Sequence, residues 1–210
     1  MNKNKIKFLI TGTALILAYL TITACKTVNK SEALSNLSIL VLDENDRAVP
    51  DYQIKLQKNK MNDDKSEISE TTNESGLCIF YDLQPAEYLI SGKKSGYTQM
   101  PVQSMQIDRH SDLYCFRVYS AGFVLDEAES LYDTGEYEPA LELLQTICTE
   151  RNQSLQNTVC FYKAYGYASL GQKEKAGIEL QRLKELDSPA FETSRYSEAI
   201  EKMIFVKQKD

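Results

Sequence analysis

The chain has 210 residues, with 24 basic side chains against 30 acidic, a single histidine and no tryptophan. That length fills one large domain or two small ones, and the acidic excess disfavours nucleic acid and anionic membrane surfaces, which carry the same sign. The sequence lacks HExxH, GxSxG and GxxxxGK[ST], so metalloprotease, serine hydrolase and P-loop chemistry have no residues to carry them.

Reading from the N-terminus, Lys3, Lys5 and Lys7 precede an uncharged apolar run from Phe8 to Ile22, and Ala24 is a small residue before Cys25. This order predicts a secretory signal over residues 1–24; the run is short for a membrane span, which needs roughly 20 apolar residues. Ile22-Thr23-Ala24-Cys25 resembles the lipobox of bacterial lipoproteins. The resemblance implies that Cys25 is acylated, becomes the first residue after cleavage and holds the chain on a membrane. The other reading is an uncleaved anchor with an incidental cysteine. Each buried CH₂ contributes about 0.8 kcal/mol and one acyl chain is marginal, so stable anchoring takes two or three chains. Many proteobacterial lipoproteins kept on the inner membrane have Asp after the cysteine; Lys26 here implies the outer membrane. Cleavage leaves 186 residues with 21 basic and 30 acidic side chains, a net charge of −9. Residues 25–35 are then the lipidated cysteine and a polar tether.

From 36 to 119 the pattern is that of strands. Leu37, Ile39 and Val41 alternate with Ser38, Leu40 and Leu42, and Tyr52, Ile54 and Leu56 with Gln53, Lys55 and Gln57. Leu77 to Tyr81, Glu87 to Ser91 and Leu113 to Tyr119 are further short runs, separated by turns such as Asp43-Glu44-Asn45-Asp46 and Asn73-Glu74-Ser75-Gly76. Such spacing predicts an all-β sandwich, with Cys78, Phe80, Leu83 and Tyr88 facing one core and Leu77 and Ile79 the other side. Gly92-Lys93-Lys94-Ser95-Gly96 looks like a phosphate loop only superficially, and a turn is the better reading.

The order Val49-Pro50-Asp51-Tyr52, Thr71-Thr72-Asn73-Glu74-Ser75-Gly76, Leu83-Gln84-Pro85-Ala86-Glu87-Tyr88 and Ser95-Gly96-Tyr97 resembles carboxypeptidase-regulatory-like (prealbumin-like) domains. The resemblance implies a sandwich of about seven strands that is not itself catalytic. Asp46 and Ala86 stand where that family usually has glycine, and Cys78 where it has an aromatic; Asp46 and Ala86 must then turn without glycine's freedom.

At 120 the period becomes helical. Phe123, Leu125, Ala128, Leu131 and Tyr132 share one side of a first helix, Gly135 ends it, and Ala140, Leu141, Leu143, Leu144 and Ile147 lie along a second. Ala128, Leu131, Gly135, Ala140 and Leu144 recur 36 residues later as Ala164, Tyr167, Gly171, Ala176 and Leu180. Ala-x-x-Leu-x-x-x-Gly-x-Tyr-x-x-Ala resembles the tetratricopeptide (TPR) repeat, whose usual period is about 34. Residues 120–210 therefore predict two all-α TPR-like repeats, closed near Pro189 and capped by a helix from Phe191 to Val206.

In that family the first helix of each repeat lines a groove. Mapped here, the groove holds Leu125, Glu129, Tyr132 and Asp133, then Phe161, Tyr165 and Ala168, and the predicted partner-binding residues are Glu129, Tyr132, Asp133, Phe161 and Tyr165. Eight carboxylates and no lysine or arginine lie between Ala121 and Glu150; they form either a solvated helical face or a docking face for a basic partner.

No catalytic residue, cofactor or metal site is predicted. His110 lies in a turn, and Asp43, Asn45 and Asp46, or Asp63 and Asp64, lack calcium-loop spacing. Cys78 with Cys115, and Cys148 with Cys160, are either bridges or small buried thiols. The expected function is that of a non-catalytic envelope lipoprotein, lipid-anchored by Cys25, acting as a protein-interaction adaptor. The alternative is a surface glycan- or ligand-binding lipoprotein that uses the sandwich loops.

Overall fold

The computed structural model describes residues 34–59, 67–108, 112–186 and 198–203. Cys25, His110, Asp63, Asp64, Pro189 and Phe191 lie outside them.

The alternation in the first strand decides the architecture. Strand β1 (Ser35–Leu42) buries every second residue, with Leu37, Ile39 and Val41 wholly inaccessible. It lies between β4 (Leu77–Leu83), antiparallel, and β7 (Asp112–Arg117), parallel. A second sheet has the order β3-β2-β5-β6, from β2 (Gln53–Lys58), β3 (Glu67–Thr71), β5 (Ala86–Lys93) and β6 (Met100–Ile107), and all its pairs are antiparallel. The inner faces meet in one core, where Ile39, Val41 and Phe80 from the first sheet pack with Ile54, Leu56 and Ile90 from the second. Cys78 and Phe80 face that core at the period of two and Tyr88 joins them from β5, while Leu83, three residues after Phe80, faces it out of period. Leu83 keeps its place because β4 bulges opposite Ser35–Leu37, where Asp82 turns through a φ of 57°.

Glycine's freedom is required at Gly76, which has a φ of 72° and where a Cβ would sit 2.5 Å from the carbonyl of Val41. Asp46 also turns left-handed, at a φ of 59°. Its turn is held by Asp43, whose Oδ1 accepts from the backbone of Asn45 and Arg47. Ala86 simply opens β5, with no positive φ.

Four helices follow: α1 (Ala121–Asp133), α2 (Tyr137–Gln145), α3 (Gln153–Ser169) and α4 (Lys173–Glu185). Residues 198–203 are also helical, and Ile200 and Met203 pack against Ala168 and Leu180. The recurrence at 36 residues is structural. Ala128, Ala164, Ala140 and Ala176 are all wholly buried, Leu144 and Leu180 nearly so, and Gly135 and Gly171 both take positive φ at the reversals. Two sequence expectations need correction. Phe123 is exposed and stacks on Tyr119 at 5.3 Å, while Val124 takes the buried place. Ile147 lies beyond the end of α2, in a β-bridge to Thr98.

That bridge belongs to a seam between the strands and the helices. Residues 97–99 run between two neighbours. On one side Thr98 N donates to Tyr119 O (2.8 Å) and Ala121 N to Gly96 O (2.7 Å); on the other Gln99 N donates to Thr146 O (2.8 Å) and Cys148 N to Tyr97 O (2.9 Å). Ser120 begins α1, and its hydroxyl accepts from Phe123 N while donating to Glu44 on the β1–β2 turn. α2 stops after nine residues because the chain joins this seam.

Candidate functional site

α1 and α3 supply one open pocket of about 260 Å³, lined by Glu129, Tyr132, Asp133, Phe161, Tyr162 and Tyr165. Helical spacing explains the grouping: positions 129, 132 and 133 share one face of α1, and 161, 162 and 165 share one face of α3. The five residues expected from sequence thus converge. Leu125 instead packs in the first helical core, and Ala168 is buried in the second. Tyr162 was not expected. Its position three residues before Tyr165 was the available signal.

Tyr132 is the floor of the pocket. It is 7% exposed, and its hydroxyl donates to the backbone carbonyl of Tyr162 at 2.9 Å. Its ring lies nearly parallel to Tyr162, at 6.3 Å and 11°, and edge-on to Tyr165, at 5.4 Å and 79°. Burial pushes its phenol well above the ordinary range, and the phenols of Tyr165 and Tyr167 push the same way. Phe161 meets Tyr162 edge-on at 5.5 Å, and the Tyr162 hydroxyl donates to Glu129. The close approach of these helices depends on Gly166, where a Cβ would sit 2.6 Å from the Tyr132 hydroxyl and 3.0 Å from Leu141.

The electrostatics are one-sided. Among the described residues, no lysine or arginine forms an ion pair with Glu129 or Asp133. Of the eight carboxylates from Ala121 to Glu150, Glu150 alone is paired there, with Lys93 at 2.5 Å.

A second concavity of about 360 Å³ lies on the opposite face of α3, against α4, and includes Cys160, Lys163, Glu179 and Arg182. Its charges are balanced, with Arg182 on Glu179 at 2.9 Å. Burial, then the nearby Glu179 carboxylate, pushes the Cys160 thiol up to about 11, away from reactivity. Among the described residues no group of three or more His, Cys, Asp or Glu is placed to hold a metal ion. No described helix is long and apolar enough to cross a membrane.

The described cysteines are free thiols. Cys78 and Cys115 sit on strands that flank β1 on opposite sides, roughly 9–10 Å apart, with one side chain inward and the other outward. A disulfide needs Cα atoms within about 7 Å.

No family model matches the chain, and no curated protein matches it. Several solved structures match part of it. The TIE protein of Bacillus anthracis is 13% identical with a TM-score of 0.36, over 42% of this chain and 17% of that one. The full-length major pilin SpaD from Corynebacterium diphtheriae is 12% identical with a TM-score of 0.36, over 41% and 30%. The 3-chlorocatechol 1,2-dioxygenase from Rhodococcus opacus 1CP is 11% identical with a TM-score of 0.35, over 45% and 62%. The chain spans less than two thirds of the length of each. Likenesses this weak carry no role over to this chain.

Proposed function

We propose that the chain is a non-catalytic envelope lipoprotein, anchored through acylated Cys25, that docks a partner protein on its helical region. Cys25 lies outside the described residues, and its role rests on the basic start, the apolar run and the lipobox-like Ile22-Thr23-Ala24-Cys25. The TPR-like reading is supported by the recurrence at 36 residues, in which equivalent alanines are buried and equivalent glycines reverse the chain. The observation that carries the adaptor reading is the convergence of Glu129, Tyr132, Asp133, Phe161 and Tyr165, with Tyr162, on one open aromatic pocket. Rigid aromatic rings in a concavity are the usual anchors of protein recognition.

The test is photo-crosslinking in the host cell. p-Benzoylphenylalanine replaces Phe161, which keeps a ring in the pocket and both of its carboxylates, in one full-length chain and Glu174, an exposed residue of α4, in another. A discrete protein adduct from position 161 that is missing from position 174 supports docking at the pocket. The same adducts from both positions, or none from position 161, sink the reading. Tyr132 is a poor position for such tests, because its ring and hydroxyl hold α1 to α3.

A further inference from the structure

We infer that the aromatic pocket receives a cationic side chain, foremost an arginine, presented by a basic segment of the partner. The inference rests on the docking reading and specifies its chemistry.

The first argument is the hydrogen-bonding inventory of the lining. Tyr132 gives its proton to Tyr162 O, and Tyr162 gives its proton to Glu129. The two carboxylates only accept, and Phe161 has no polar atom. The Tyr165 hydroxyl is the one lining side chain left to donate. A lining so rich in acceptors offers an anion almost nothing. It complements a guanidinium, which has five donors and no acceptor.

The second argument is charge. Glu129 and Asp133 are four residues apart on α1, a spacing at which like charges repel and weaken a helix. No described base neutralises them. Their neighbours Asp126, Glu127, Glu136, Glu138 and Glu142 are likewise exposed. A bound cation relieves this repulsion, and further positive charges on the same segment meet the acids beyond the rim. A small free ammonium ion engages only the pocket, so the surrounding acids favour a segment of chain.

The third argument is the walls. Aromatic faces carry negative quadrupoles that attract cations, arginine more often than lysine. Four rings line the pocket, edge-on and offset pairs among them, and its volume of about 260 Å³ suits one long side chain rather than a helix.

The experiment uses the full chain in neutral detergent and fluorescence polarisation. The probe is fluorescein-labelled Gly-Ser-Arg-Gly-Ser-Arg-Gly-Ser amide, beside a twin in which citrulline replaces each arginine. The chains are wild type, Glu129→Gln/Asp133→Asn, and a control with the same charge change elsewhere, Glu74→Gln/Glu174→Gln. The expected result is saturable binding of the arginine peptide to wild type and control. Binding weakens by roughly tenfold or more both in the pocket variant and with citrulline. Equal affinity for the citrulline peptide overturns the cation inference while leaving docking at the pocket intact. Equal weakening in the control variant reduces the binding to diffuse attraction and overturns it too. No binding of the arginine peptide also overturns it, and the crosslink at position 161 then decides the docking reading separately.

Discussion

Tyr52 shows how much of the strand–helix junction hangs on one side chain. It is wholly buried; its hydroxyl accepts from Met100 N at 2.9 Å and faces the carbonyls of Thr98 at 2.9 Å and Gly92 at 3.1 Å. Burial pushes its phenol up to about 12, against the lowering effect of the Met100 N–H, so it stays a neutral donor at ordinary pH. Gly92 is the matching concession: a Cβ there would sit 2.6 Å from the Tyr52 ring. Thr98 is also a seam residue, so Tyr52 ties the sandwich core to the segment that carries the helices. Tyr52→Phe strips partners from a buried N–H and from buried carbonyls. It is expected to cost about 1–3 kcal/mol in denaturant unfolding. Tyr88→Phe is the comparison, since the Tyr88 hydroxyl makes a single part-buried bond to Gln84 O. It should cost about 1 kcal/mol or less. Equal losses would mean that the Tyr52 hydroxyl has no special place in the fold.

At the scale of elements, the start of α1 is the feature that a titration can test. Ser120 caps the helix, and its N–H and hydroxyl both donate to Glu44, at 2.9 and 2.7 Å. Burial alone would raise the Glu44 carboxyl, but the bonds from Ser120 outweigh it and hold the group below the usual carboxylate range. A carboxyl whose folded pKa is depressed contributes stability above its unfolded pKa, about 4.3, and loses it as pH falls through the folded value. The stability gap between wild type and Glu44→Gln should therefore be flat near neutrality and close as pH drops below about 4.3. Ser120→Ala should cost about 1 kcal/mol near neutrality. A gap that stays constant down to the acid limit would remove Glu44 from the cap.

The same elements show what the sequence could and could not reveal. β1, β2, β4, β5 and β7 announce themselves because each alternates or carries a dense run of branched and aromatic residues. β3 is Glu67-Ile68-Ser69-Glu70-Thr71, exposed throughout, and pairs in its sheet only with β2. An edge strand with no buried face leaves no hydrophobic period to read. β6 is also an edge; it contains Pro101, and an irregular register against β5 breaks its alternation, so Met100, Met105 and Ile107 are buried without a clean period. The count of seven came from the family resemblance rather than from these residues. The helices were legible from Ala128, Gly135, Ala140 and their counterparts 36 residues on, since small residues at close approaches and glycines at reversals leave marks in sequence. The end of α2 was not legible, because Ile147 continues the helical spacing while its backbone is claimed by Thr98. Most of the pocket could be read from helix-face arithmetic. That Tyr132 is its floor depends on how closely Gly166 lets α3 approach.

For the molecule as a whole, the cysteines provide a test that joins anchoring to fold. If Cys25 is acylated, it offers no thiol, and Cys25→Ser should abolish incorporation of labelled palmitate and leave the apolar run from Phe8 to Ile22 uncleaved on the chain. The other four should differ sharply towards a maleimide at neutral pH. Cys115 is exposed on the outer face of β7 and should react first. Cys78 is buried, and burial followed by the charge of Glu70 pushes its thiol up to about 11, so little thiolate is present to attack. Cys160 is half-buried with its thiol pushed up to about 11, and Cys148 is 1% exposed within the seam. The expected outcome for chain extracted under native conditions is one label on Cys115 at short times. All four react after denaturation without reductant. A peptide joining Cys78 to Cys115 in the unreduced digest would contradict the pairing of β1 between β4 and β7, because that register places the two thiols on opposite faces of one sheet. Early labelling of Cys148 would instead mean that the seam opens, and the helical region would then move against the sandwich.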